Sequence, residues 1–169
     1  LQDDSGVTAR FANGTSARAD VLVGADGNVS AVRSFMFPEE APKFAGQVAF
    51  RSLIPYELVP ESLRFRGSVM SAGPGRYLLC YPLRGARIMN LVGLVQSNAW
   101  EEEGWSIPAT NEEFANAFPG YEPDLLTLIR NIPAGDVFKW GLRDREPLKT
   151  WTVGRVTMLG DAAHPMTPF

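Results

Sequence analysis

The sequence predicts an α/β fold interrupted by an inserted α+β section. Three observations carry that expectation. Val21-Leu22-Val23 and Val156 to Leu159 are short continuous apolar runs, the pattern of parallel-type strands covered on both faces, and each ends in a glycine-bearing turn. Between them, Phe44 to Gln96 reads almost wholly as strand, cut by Gly73-Pro74-Gly75 and Arg84-Gly85 into an antiparallel meander. Behind the meander, two stretches carry apolar residues at helical spacing.

Taken in chain order, Val7, Ala9 and Phe11 alternate with polar neighbours, as a half-buried strand requires. Asn13-Gly14 readily takes the positive φ of a tight hairpin, so a second strand returns through Ser16 to Arg18. Val21 to Val23 exits through Gly24-Ala25-Asp26-Gly27-Asn28. Val29, Val32, Arg33 and Phe35 then suit one or two helical turns, closed by Pro38. The meander strands are expected at Gln47 to Ile54, Phe65 to Ser71, Tyr77 to Leu83 and Ile88 to Gln96. Asn98 to Pro108 is acidic and looped, with Glu101 to Glu103 a solvated run. Thr110 with Glu113 fits a capping box, each side chain satisfying the other residue's backbone N–H, and starts a helix through Phe114 and Phe118. Leu125, Leu126, Leu128 and Ile129 mark a second helix, ended near Pro133. Val137 to Arg145 reads as strand, Pro147 to Thr152 as loop, and Val156 to Leu159 closes on Gly160-Asp161.

Composition narrows the function. At 169 residues the chain suits one compact domain, and 45% hydrophobic content is that of a globular protein. A net charge of −3, with arginines scattered, gives no footprint for nucleic acid or an anionic membrane surface. No apolar run approaches the ~20 residues a membrane helix needs. Cys80 stands alone, which rules out an internal disulfide and favours a reducing, cytosolic setting. His164 is the single histidine, so a metal site lacks ligands, and His164 with Cys80 matches no nucleophile motif. The chain opens at Leu1 and stops just after a turn that looks like a helix start, so both ends read as truncations.

Two turns carry the chemistry. The first spans Val21 to Arg33: an apolar strand, two glycines, then a helix start, the way α/β sheets build anion sites. It is not G-x-G-x-x-G, which occurs nowhere in the chain. Asp26 cannot simply face a diphosphate, because like charges repel; it holds the turn by hydrogen bonds, or meets a ribose or a bound water. The second turn lies within Gly154 to Phe169, where a buried strand delivers Gly160 and Asp161 to the start of a helix. A carboxylate there can accept hydrogen bonds from sugar-type hydroxyls, and the helix end offers partial positive charge. The same residues equally suit a plain capped helix with Asp161 as its N-cap. With the central sheet, the two turns suggest a nucleotide-binding domain interrupted by a substrate-covering domain.

The pair G-A-D-G-x-x-S-x-V-R and G-R-V-T-M-L-G-D-A-A-H-P-M resembles two sequence motifs of the single-component FAD-dependent aromatic hydroxylases, the family of the para-hydroxybenzoate and salicylate hydroxylases. Gly73-Pro74-Gly75-Arg76-Tyr77, Tyr81-Pro82-Leu83-Arg84-Gly85 and Arg145-Glu146-Pro147-Leu148 are similar to the salicylate and hydroxynicotinate branch. The resemblance runs over essentially the whole chain. It implies part of an FAD-binding Rossmann-like domain, residues 1–37 and 147–169, plus an antiparallel-sheet substrate domain over residues 38–146. It further implies that NAD(P)H and O2 are consumed while one oxygen is delivered to a small aromatic ring through a flavin hydroperoxide. Asp161 would bind the ribityl chain of FAD, and Asp26 and Gly27 would support FAD and reduced nicotinamide. Pro165 would lie near the flavin ring. Arg33, Gly160 and Ala162 complete the cofactor set by their place in the motifs. The N-terminal G-x-G-x-x-G of the family is absent, so the chain alone is expected to bind FAD poorly and turn nothing over.

Substrate candidates come from the meander. Tyr77, Leu79 and Tyr81 project from one face of a strand, where the two phenols could orient a ring in an apolar pocket. Their bland reading is core or interface aromatics. Arg76 and Arg84 are candidates for a substrate carboxylate, and no residue is assigned to catalysis. Other readings of the same residues are an epoxidase or polycyclic hydroxylase on the same fold, or a non-catalytic relic.

Overall fold

In the computed structural model the described residues are 1–64, 67–100, 104 and 106–167. Phe65 and Arg66 of an expected strand, the acidic Glu101 to Glu103 and Trp105 lie outside them. The strands are β1 Gln2–Asp3, β2 Gly6–Arg10, β3 Ser16–Ala19 and β4 Leu22–Gly24, followed by helix α1 Ala31–Met36. Next come β5 Lys43–Pro55, β6 Val69–Gly73, β7 Arg76–Leu83, β8 Ile88–Gln96 and β9 Ile107–Pro108. Helices α2 Asn111–Asn116 and α3 Pro123–Arg130 precede β10 Phe138–Asp144, β11 Thr152–Val153 and β12 Val156–Met158. Single 3-10 turns occupy Tyr56–Leu58, Glu61–Leu63 and Gly160–Ala162. The α/β class with antiparallel sheets is as the sequence reads. Contacts divide the chain into two compact units, residues 1–43 with 143–169, and residues 44–142.

In the first unit β4 and β12 pair in parallel, Leu22 to Gly24 against Val156 to Met158. Parallel neighbours need a crossover, and here the whole second unit lies between them in sequence. The expectation that both strands are covered on two faces is corrected. Helix α1 covers the face holding Gly24 and Met158, so closely that a methyl on Gly24 would lie 2.8 Å from Val32 Cβ. Val23 projects to the other face and stays 50% exposed, because one short helix covers one side of a sheet only. The β2–β3 hairpin forms as read, with Gly14 at φ +84° and Asn13 Oδ1 accepting from Thr15 N at 3.0 Å.

The second unit is a six-stranded sheet ordered β6-β7-β8-β5-β10-β9, with α2 and α3 packed on one face. Alternation sorts the side chains: Leu78 and Cys80 of β7, Met89 and Leu91 of β8, and Phe50 and Ile54 of β5 enter the core. Phe114 of α2 stacks on Phe50 with centroids 4.9 Å apart, and Phe118 meets Phe114 edge-on. Gly93 makes room for both rings. The capping box is half formed. Thr110 Oγ1 accepts from Glu113 N at 3.0 Å, but the Glu113 carboxylate accepts from Lys139 Nζ instead of turning back to Thr110. A full charge across the sheet outcompetes a neutral N–H for the carboxylate.

Candidate functional site

The two glycine turns leave neighbouring parallel strands at the same end. Gly24 and Met158 are register partners, and Leu159 N donates to the Gly24 carbonyl at 3.0 Å, so the loops begin side by side. The carboxyl end of parallel strands is where α/β sheets take ligands.

In the first loop Asp26 is consumed locally. Ser30 Oγ donates to Asp26 Oδ1 at 2.6 Å, and Val32 N donates to Asp26 Oδ2 at 3.1 Å. Ser30 Oγ in turn accepts from Arg33 N and caps α1. Partial desolvation pushes the Asp26 carboxyl up, but the Ser30 and backbone hydrogen bonds outweigh it and hold its pKa below the usual value. Of the alternatives open for Asp26, this geometry favours the turn-holding one. Gly27 follows with φ +75°, and no atom lies within 4 Å of where its Cβ would stand. That backbone is open to close approach.

Arg33 is 1% exposed. Its Nη1 donates to the carbonyls of Ala162 and Ala163, its Nη2 to the Glu146 carbonyl, and its Nε to Glu40 Oε2 at 2.8 Å. The guanidinium is therefore spent on protein groups and ties α1 to the Gly160–Ala162 turn. Glu40 also accepts from Arg145 Nη1 at 2.5 Å. Desolvation raises the Glu40 pKa, while the two arginines lower it further, so the net shift is downward. Sequence reading missed this network, since arginine carries no mark of burial and its partners are mostly backbone carbonyls.

The second turn departs from expectation. Gly160–Ala162 is one 3-10 turn, its N-cap is Leu159, and no side chain caps it. A helix with Asp161 as N-cap is thus corrected: Gly160 at φ +59° is left-handed, outside the extended backbone an N-cap residue takes, and Asp161 already sits inside the turn. Asp161 is exposed and makes no hydrogen bond to any described residue, so its carboxylate is available. Ala162 and Pro165 are buried, and exposed His164 lies against Trp151 with ring centroids 4.8 Å apart.

In the second unit, Tyr77, Leu79 and Tyr81 do share the sheet face away from α2 and α3, all half-buried. Burial raises the Tyr77 pKa. Register places Leu94, Val92 and Asn90 of β8 beside them, and Ala49, Arg51 and Leu53 of β5 next in line. A cavity of about 700 Å³ is lined by Arg51, Leu53, Phe138 and Trp140 among others. Arg76 is not free, since its Nη1 donates to the Ala117 carbonyl at 2.7 Å; Arg84 lies exposed in a turn at φ +51°.

A family model described as "FAD binding domain" matches residues 1–169. A 3-amino-4-hydroxybenzoate 2-monooxygenase of Streptomyces platensis is 37% identical over 97% of this chain and 41% of its own length. The 3-hydroxybenzoate 6-hydroxylase 1 of Aquipseudomonas alcaligenes is 40% identical over 96% of this chain and 41% of its own. Among solved structures, a salicylate hydroxylase substrate complex superposes with a TM-score of 0.84 at 29% identity, covering 99% of this chain and 45% of that one. The chain thus spans about two fifths of the length of the curated relatives it matches.

Proposed function

This chain belongs to the FAD-binding domain family, and from that premise we propose that it is a section of an FAD- and NAD(P)H-dependent monooxygenase that hydroxylates a small aromatic compound with O2. The observation that carries the reading is the pair of glycine turns leaving adjacent parallel strands, one holding a free carboxylate. The residues present fit the cofactor. Asp161 offers acceptor oxygens to the hydroxyls of a ribityl chain, and no described residue competes for them. Gly27 and Gly160 present open backbone. Asp26 acts one step back, shaping the loop through Ser30, and Arg33 holds the two turns together. Buried Pro165 and Ala162 would give the flavin ring a rigid neighbour. When bound, FAD supplies the redox chemistry linking a nicotinamide donor to O2.

The sheet face of Tyr77, Leu79 and Tyr81 takes the aromatic ring: half-buried, largely apolar, with phenols to orient it. The names of the relatives support this class. The reading assigns residues 1–37 and 147–169 to the cofactor, residues 38–146 to the substrate, and a cytoplasmic setting to the protein.

The test is the full-length protein carrying this chain. It is expected to purify yellow or to turn yellow on soaking in FAD, and to oxidise NADH or NADPH faster when aromatic acids are added. A protein that stays colourless in FAD would overturn the proposal. Stimulation by polycyclic compounds alone would move it to a larger-substrate hydroxylase.

A further inference from the structure

The geometry points to Asn90 as a specificity-determining residue that hydrogen-bonds a hydroxyl on the ring of the substrate. The inference rests on the proposed aromatic substrate and names one substituent of it. Asn90 lies mid-strand in β8, directly across the ladder from Tyr81 on one side and Leu53 on the other. Cross-strand partners share a face, so its side chain stands on the same side of the sheet as the two candidate phenols. It is fully buried, and neither Oδ1 nor Nδ2 has a hydrogen-bond partner.

Buried amides are almost always paired, and an orphaned one calls for a reason. Leucine or valine would fill this position without penalty, as Val92 and Leu94 do further along the same face. What the amide adds is an acceptor and a donor side by side. A carboxylate would satisfy Nδ2 alone and set negative oxygen against Oδ1. A hydroxyl answers both, donating to Oδ1 while accepting from Nδ2. Its cross-strand neighbours lie at the edge of this face, Leu53 47% exposed and Tyr81 half-buried. Trp140 Nε1, on the neighbouring part of this unit, is a second buried donor without a partner.

The experiment titrates the FAD-loaded full-length protein with 3-hydroxybenzoate and with its methyl isostere, 3-methylbenzoate, following the flavin absorbance change on binding. The natural protein is expected to prefer the hydroxylated ring by about tenfold or more. In Asn90→Leu that preference should shrink to about twofold or less, with FAD content and affinity for 3-methylbenzoate unchanged, which a merely structural role would not produce. Should Asn90→Leu fail to fold, Asn90→Ser, too short to bridge the same hydroxyl, is expected to lose the preference as well. A variant that folds, holds FAD and keeps the natural preference overturns the inference, as does a natural protein that binds both rings equally. Neither result touches the hydroxylase reading. A natural protein that takes up no FAD or no aromatic acid removes that reading, and this inference with it.

Discussion

Arg33 and Ala162 stand 129 positions apart in the chain, yet Arg33 Nη1 donates to the Ala162 carbonyl across 3.1 Å of buried interior. The bond joins the helix after the Asp-Gly loop to the Gly-Asp turn. Besides the β4–β12 ladder, the two turns are thus joined by one guanidinium whose remaining donors engage Glu40, Ala163 and Glu146.

Replacing that group should be costly. Arg33→Met removes the charge and leaves the carbonyls of Ala162, Ala163 and Glu146 and part of Glu40 without a donor, a loss of about 3 kcal/mol. Arg33→Lys should recover only part of it, since an ammonium cannot reproduce a four-bond fork. Urea denaturation of the two variants measures both numbers. A loss below about 1 kcal/mol for Met would show that the network contributes little.

Acid should attack the same region. The Glu40 and Asp26 carboxyls sit below their ordinary pKa values of 4.5 and 3.8 when folded. A depressed folded pKa gives stability that is fully present above the unfolded value and disappears as pH falls through the folded one. Thermal midpoints should thus be insensitive to these two groups near neutrality and fall below about pH 4.5. Glu40→Gln is expected to be less stable at pH 7 and to flatten the acid slope. An unchanged slope in Glu40→Gln would assign the acid sensitivity elsewhere.

Much of this was legible from residue order. Val21 to Val23 and Val156 to Leu159 read as parallel-type strands and β4 and β12 do pair in parallel, and β8 runs over the residues expected of it. Charge repulsion leaves Asp26 holding the turn or meeting a ribose or a bound water, and its carboxylate accepts from Ser30 and Val32 within the turn. What stayed hidden depends on contacts between distant segments. The motif places Arg33 in the cofactor set, and nothing in the sequence shows that the carbonyls of Ala162 and Ala163 converge on it. Asn90 falls within the strand expected over Ile88 to Gln96, and alternation gives its face but not what covers it. Apolar Val23 was expected inside for the converse reason: a run of valines reports affinity for cover, not its presence. The turn at Gly160 has the punctuation of a helix start, yet Pro165 soon interrupts it.

Gly93 is a tight point in the core of the second unit. A methyl there would lie 2.5 Å from the Phe114 ring and 2.8 Å from that of Phe118, both fully buried. Aromatic rings in a packed core cannot yield that much, so Gly93→Ala should destabilise by about 1–3 kcal/mol. Thermal melts read it directly. A neutral substitution would mean that α2 is free to slide outward.

The two aspartates of the glycine turns should fail in opposite ways. Asp161 is exposed and unbonded, so Asp161→Ala removes nothing the fold uses, and its stability should stay within about 0.5 kcal/mol of the natural protein. If its oxygens hold the ribityl hydroxyls, FAD affinity of the full-length protein should drop about tenfold or more, the value of hydrogen bonds to a charged acceptor. Asp26→Ala instead strips the hydrogen bonds from Ser30 and Val32 and loosens the start of α1. It should cost about 1–2 kcal/mol of stability, as cap losses do, and weaken FAD binding only through that loosening. Melting and FAD titration on both variants separate a group that meets the cofactor from one that shapes the loop around it. Equal loss of FAD affinity in the two, with Asp161→Ala also unstable, would show that Asp161 serves the turn and not the ligand.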